Sequence, residues 1–300
     1  MLLPLVHHPD YDAQFNASHR FPMGKYAALH GELYRSGVLK RSQVFRPAPA
    51  PRNWLTLAHA DHYVDQVISC AVPGPVEKEI GFAINERVSL RAQLASAGTV
   101  IAARLALHHG LACNMAGGSH HARRERGAGF CVFNDVGVAA SVLLADGAVN
   151  LVHVIDLDVH QGDGTALLFA DEPRVVTASL HCAGNYPHPK ACSDLDVALP
   201  AGTKGDVYLP TLDNLLAELR DGTPPDLVFY NAGVDVHQAD RLGKFALDDD
   251  DIRARDAMVF SHFRESGIPV CAVIGGGYDH DVVALAKRHA ILFETALAFC

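Results

Sequence analysis

Asp156, Asp158 and His160 stand two residues apart in "VIDLDVHQGDG" (154–164), directly after an apolar run, and Asp163 follows in a glycine-rich turn. On an extended strand, positions two apart face the same way. The last strand residues and those just beyond can therefore present two carboxylates and an imidazole together. Two neighbouring carboxylates repel, and one is forced up in pKa unless a cation lies between them. A divalent metal is such a cation, and Asp plus His is a nitrogen/oxygen set suited to zinc. A second apolar run ends in "NAGVD" and brings Asp235. Asp158, His160 and Asp235 make three ligands and leave a coordination position for water and substrate, the layout of a catalytic zinc site. The other reading of these residues is a network of buried acids that holds loops.

Further chemistry surrounds this core. "GGSHHARRERGAGFCVFND" (117–135) carries His120 and His121 in an irregular loop after two glycines, where adjacent side chains can both face a site. A neutral imidazole beside an activated water is a suitable general base, and it needs an orienting carboxylate. Asp156 and Asp163 are the spare acids on the neighbouring loop. "IGGGYDH" places Tyr278 after glycines that let backbone approach closely, and its hydroxyl could donate to a carbonyl oxygen as that becomes an oxyanion. His237 in "DVHQAD" is a surplus candidate, either ligand or supporting donor, or else a plain loop residue.

Elements must bring these segments together. The short, β-branched runs 111–118, 151–158, 174–181, 226–233 and 269–277 predict strands buried on both faces. Between and around them, 86–110, 134–147, 205–222, 247–267 and 280–299 predict helices. Asn134 is a good N-cap, Gly110 and Gly147 are stops, and Pro210 marks a start or a kink. Alternating strand and helix implies a single α/β domain over 1–300, with a central, mostly parallel sheet and helices on both faces. Ligands bind at the carboxyl ends of such strands, where all five runs end in notable residues.

Composition sets the outer limits. The 300 residues are 49% hydrophobic and 20% charged, enough for a large core. A formal charge of −9 with scattered acids gives no footprint for nucleic acid or an anionic membrane. No stretch reaches membrane-span length, and the first residues lack a secretory pattern. Seven widely spaced cysteines without a CxxC pair predict reduced thiols in a cytoplasmic protein. Oligomeric state is left open.

The motifs "GGSHHA", "GFCVFND", "IDLDVHQGDG", "SLH", "NAGVD" and "GGGYD" occur in an order and at separations that resemble the zinc-dependent histone deacetylase family of the arginase/deacetylase fold. The resemblance runs through nearly the whole chain, from "HRFPMGKY" and "LAHADHYV" onward. "NAGVD…DRLG" and "NYPHPK" look closest to its bacterial or class IV-like branch.

The resemblance implies one zinc ion on Asp158, His160 and Asp235. It pairs His120 with Asp156 and His121 with Asp163, and it makes Tyr278 the carbonyl-polarising donor. His121 would be the more exposed of the two histidines and take the water proton. Gly129 and Phe130 would line a narrow acyl-lysine channel, with Cys131 beneath. A structural potassium or sodium ion would sit on Asp156, the Ser179 hydroxyl and the carbonyls of Asp158, His160 and Leu180. An outer ion would involve Phe169, Glu172 and Val175, although Glu172 replaces a residue usually small and polar. Lys25 stands where many relatives carry arginine near an acetate-release route, and Gln161 where many carry a second histidine. The implied substrate is acylated lysine or a small acylated amine, including acetylpolyamines. The stretch 73–90 shows no clear counterpart of the rim aspartate that grips peptide backbone in histone-directed relatives; Glu77 and Glu79 are the nearby acids. The loops 10–25, 73–86 and 183–192 are expected to form the rim.

Two rival readings use the same residues. A two-manganese ureohydrolase on the same fold wants Asp, His at +2 and Asp at +4, but position 162 is glycine. A non-catalytic binder of acyl-lysine would keep the pocket without turnover.

Overall fold

A computed structural model describes residues 2–300. Eight strands form one parallel sheet: β1 (Leu3–Val6), β2 (Ser42–Phe45), β3 (Leu111–Asn114), β4 (Val152–Asp156), β5 (Val175–Cys182), β6 (Leu195–Leu199), β7 (Leu227–Gly233) and β8 (Val270–Gly275), in the order β2-β1-β3-β8-β7-β4-β5-β6. The helices are α1 (Lys25–Arg35), α2 (Arg52–Ala58), α3 (Asp61–Ile68), α4 (Gly74–Ile80), α5 (Glu86–His109), α6 (Asp135–Ala145), α7 (Asp163–Phe169), α8 (Gly205–Asp221), α9 (Asp249–Arg264) and α10 (Val282–Ala296). The chain is thus a single α/β domain. In one helical group α5 packs on α6, and α6 on α2; in the other α10 packs on α1 and α9, and α9 on α8.

The central strands β3, β4, β7 and β8 are buried at every residue, which is why they read as unbroken apolar runs. The edge strands β2 and β6 are half exposed; β2 opens on Ser42 and Gln43, and Asp196 interrupts the short β6, so neither forms such a run. β1 carries Pro4, a residue that argues against a strand within a sheet. Helix ends follow local chemistry. Asn134 Oδ1 accepts the Gly137 N–H at 2.8 Å to start α6, and Asp248 with Asp251 forms a reciprocal cap on α9. α8 runs through Pro210 rather than starting there.

Register places the site. Asp156 at the end of β4 lies opposite Asn231 of β7 and Ser179 of β5, while Gly233 of β7 lies opposite Gly275 of β8. Asp158 and Asp235 each lie two residues past the end of their strands. The strand ends at Asp156, so Asp158 and His160 converge through a bend and not by the two-residue alternation of an extended strand.

Candidate active site

Asp158, His160 and Asp235 are buried together, with one potential ligand atom from each within 4.8 Å of the others. His160 Nδ1 lies 3.0 Å from Asp158 Oδ1 and 3.1 Å from Asp235 Oδ2. This is the one such three-residue group among the described residues. Burial, and then the Asp158 charge, push the Asp235 carboxyl above its ordinary pKa. Burial opposes charge on His160, but both carboxylates outweigh it and raise the imidazole to about 10. A buried pair of carboxylates that pulls a proton onto its neighbour is a field for a cation, and a divalent metal competes with that proton. The donor set therefore fits zinc. Gly276, at φ +52°, is needed here, since a Cβ on it would collide with the Asp235 carboxylate. A Cβ on Gly162 would strike Asp156 Oδ2, so the residue that a second metal requires has no room. The two-metal rival lacks its ligand for a steric as well as a sequence reason.

The two histidines meet separate acids. His120 Nδ1 lies 2.7 Å from Asp156 Oδ2, and His121 Nδ1 lies 2.6 Å from Asp163 Oδ1. Burial lowers both rings. For His120 the carboxylates of Asp156 and Asp158 overcome it and hold the pKa at about 9. For His121 the His120 charge adds to burial and drives it to about 3. The two rings are therefore driven in opposite directions, His120 toward the cation and His121 toward the neutral form. His121 is not the more exposed residue, at 3% against 6% for His120; it is nevertheless the one that lines the main channel.

That channel, about 390 Å³, runs from solvent to His160 and Tyr278. Gly129 and Phe130 form part of its wall, and Cys131 lines a smaller cavity of about 20 Å³ beneath. Phe130 (φ +67°) packs 5.7 Å from the Tyr278 ring, centroid to centroid. Burial, then Asp158, keeps the Tyr278 phenol protonated, its pKa well above the usual value. Among the described residues the hydroxyl makes no hydrogen bond, while the Tyr278 backbone N–H donates to Asp240 Oδ2 at 2.7 Å.

The three loops expected at the rim all reach the mouth, through His19 and Arg20, Lys78 to Gly81, and Asn185 with Tyr186. A fourth segment, with Leu242 and Lys244, was not anticipated. Lys25 is buried beside the smaller cavity and donates to the Gly276 and Gly277 carbonyls. Burial, then Arg91, lowers its ammonium to about 8. His237 is not a ligand of the three-residue group: Nδ1 accepts the Ala239 N–H at 3.1 Å, and Nε2 lies 3.4 Å from Asp249. Ser179 Oγ lies 3.0 Å from His181 Nδ1. The Glu172 carboxylate turns to Arg174, at 2.8 and 2.7 Å. Gln161 ties the site loop to the Ala191 backbone and to Asp196.

Several contributors were given no role by the sequence, although Asn231, Arg123 and Tyr186 lie within motifs it singles out. Asn231 donates to Asp156 Oδ1 at 3.0 Å, Arg123 donates to Asp163 Oδ2 at 2.9 Å, and the Tyr186 ring stands edge-on to His121 at 4.8 Å. Buried Arg255 clamps the segments that bear the ligands from below, donating to the carbonyls of Gly233 (2.5 Å) and Leu157 (3.3 Å).

The carboxyl ends of one parallel sheet thus carry an Asp–His–Asp group and two histidine–aspartate pairs beside one channel. The model of the histone deacetylase domain family matches residues 19–292, and the chain belongs to that family. An uncharacterised protein of Picosynechococcus sp. is 44% identical over 99% of both chains. Histone deacetylase 2 of Arabidopsis thaliana is 31% identical over 91% of this chain and 74% of its own. A probable deacetylase of Methanothermobacter thermautotrophicus is 25% identical over 93% and 86%. The crystal structure of the HDA15 HD domain superposes with a TM-score of 0.80 at 21% identity, over 97% of this chain and 88% of that one, a likeness of fold. Family membership makes the chain a deacetylase of the hydrolase class. No helix among the described residues is long and apolar enough to cross a membrane.

Proposed function

We propose that this chain is a zinc-dependent deacetylase that hydrolyses the amide of an acylated amine such as acetyl-lysine, releasing the free amine and a carboxylate, commonly acetate. The observation that carries the reading is the placement of the Asp158–His160–Asp235 group at the inner end of a channel whose walls also offer a neutral histidine and an unpaired phenol. Asp158, His160 and Asp235 would hold one divalent cation per chain. Zinc there supplies Lewis-acid polarisation of the amide carbonyl and lowers the pKa of a water.

The chain's own groups supply the proton traffic. His121, neutral and tethered through Nδ1 to Asp163, accepts the water proton at Nε2. Tyr278 keeps its proton and donates to the carbonyl oxygen as that gains negative charge. His120, held positive against Asp156, stabilises the same charge from below. Protonated His121 then returns its proton to the departing nitrogen. Gly129, Phe130 and Tyr186 wall the channel and keep water from the alkyl arm of the substrate. Arg123 neutralises the outer oxygen of Asp163 and fixes that carboxylate for His121.

A potassium or sodium ion on Asp156, Ser179 and the carbonyls of Asp158, His160 and Leu180 would brace the loop that carries the ligands. The register of Asp156 against Ser179 supports it. All seven cysteines are free thiols, which supports a reducing, cytoplasmic setting. The test is hydrolysis of an acetyl-lysine reporter by the zinc-loaded chain. Activity that disappears on chelation and returns with zinc supports the reading; no turnover of acyl-lysine peptides, acetylpolyamines or small acetylated amides would overturn it.

A further inference from the structure

The mouth of the channel carries charge opposite to that of the whole molecule. Formal net charge is −9, yet Arg20, Lys78 and Lys244 reach the mouth from three separate segments, and each is exposed. No carboxylate lies within 4.0 Å of any of the three among the described residues. The Lys244 ammonium is held over the opening by a 2.5 Å bond to the Gly184 carbonyl. Acids at or near the rim are already committed. Glu79 is bracketed by Arg123 (3.5 Å) and Arg126 (3.4 Å). Glu77 accepts the Ile84 N–H at 2.6 Å, and Asp279 pairs with Arg288 at 2.8 Å. Asp240 takes the backbone N–H groups of Leu242, Gly243 and Tyr278.

We infer that this ring of unpaired cations selects acylated amines that carry negative charge on the amine side of the scissile bond. The inference rests on the deacetylase reading above and narrows its substrate class. An acyl-lysine side chain entering the channel leaves its backbone and flanking groups at the mouth, within reach of Arg20, Lys78 and Lys244. Carboxylates there meet cations that no other residue neutralises. A lysine- and arginine-rich tail, or an acetylpolyamine with its remaining ammonium groups, meets like charge. Glu79 offers such substrates little, because Arg123 and Arg126 already occupy it. Carboxylates flanking acetyl-lysine in a peptide and the α-carboxylate of an acetyl-lysine whose α-amine is capped share this chemistry.

The test compares kcat/KM of the zinc-loaded chain on acetyl-lysine peptides with Asp/Glu, Ser/Ala or Lys/Arg flanks, on an Nα-capped Nε-acetyl-lysine with a free α-carboxylate and on an acetylpolyamine. At low ionic strength the acidic peptide should exceed the basic one by about 10-fold or more, and the ratio should shrink with added salt as screening sets in. Faster turnover of the acidic peptide than of both cationic substrates supports the inference, and its ratio to the capped acetyl-lysine tells which source of the charge is used. Lys78→Glu alone should cut the acidic-to-basic ratio severalfold, and Arg20→Glu with Lys78→Glu and Lys244→Glu should invert it. Equal rates on acidic and basic peptides, or a basic preference, would overturn the inference while leaving the deacetylase reading intact. If no substrate is turned over, fluorescence anisotropy on the same peptides decides. Tighter binding of the acidic one keeps the rim selectivity and sinks the catalytic reading; no difference sinks the inference as well.

Discussion

His120 and His121 are adjacent in the chain and their rings stand 4.0 Å apart, centroid to centroid, yet one is driven toward the cation and the other toward the neutral form. The division comes from their partners. His120 faces the Asp156 carboxylate, with Asp158 beyond it. His121 faces Asp163, whose charge is shared with Arg123. Two titratable groups pushed apart in this way take different roles within one site: His121 carries the proton and His120 supplies charge.

Loss of the neutral ring should therefore be costly for chemistry and mild for the fold. His121→Ala should lower kcat on an acetyl-lysine reporter by about 10²- to 10⁴-fold, the usual range for a general base. Circular dichroism and zinc content should stay as in the parent. A drop of less than 5-fold would move the base role elsewhere.

Tyr278 makes a cleaner case, because its hydroxyl has no partner in the protein to lose. Tyr278→Phe should cost about 10²- to 10³-fold in kcat, as for a missing oxyanion donor, and leave the thermal midpoint unchanged. Turnover equal to the parent would contradict the oxyanion role.

Gly162 tests the one-metal geometry. Gly162→Asp supplies the carboxylate that a two-metal site uses, but its Cβ would meet Asp156 Oδ2. The expected result is lost activity with no gain of a second divalent ion, measured by metal analysis of the purified variant. Two bound ions per chain in the variant would show that the loop accommodates the change.

Acid should destabilise the fold through His59. Its Nε2 accepts the Asn134 N–H at 3.0 Å, so the proton must be on Nδ1, facing the Arg123 carbonyl at 2.9 Å. Burial lowers its pKa from 6.5 to about 4. Between those values the unfolded chain binds the proton and the folded chain does not, so stability falls as pH drops through 6.5 and levels off below about 4. At 1.36 kcal/mol per pKa unit this amounts to about 2 kcal/mol between pH 7.5 and 5. In urea unfolding, His59→Gln should lose that much more in neutral solution than in acid, giving a flatter pH profile. An unchanged profile would mean that other groups carry the acid loss.

How much of this was legible beforehand follows from the physics of each residue. The central strands announced themselves because burial on both faces forces unbroken apolar runs. The edge strands β2 and β6 and the proline-bearing β1 carried no such signature. Asp158, His160 and Asp235 were readable because ligand types cluster at strand ends, although they converge through a bend after Asp156. Arg123, Tyr186, Asn231 and Arg255 were not, since each acts through a contact between segments far apart in the chain. The commitment of rim acids to nearby arginines and backbone donors, which leaves Arg20, Lys78 and Lys244 unpaired, is likewise visible only in three dimensions.

The proposed chemistry requires a single divalent ion held by Asp158, His160 and Asp235. Calorimetric titration of the metal-free chain with zinc tests that claim directly, alongside Asp235→Asn. One zinc per parent chain and loss of that binding in the variant are expected, with both proteins folded by circular dichroism. Two zinc ions per chain, or unaltered binding by Asp235→Asn, would contradict the single-ion site.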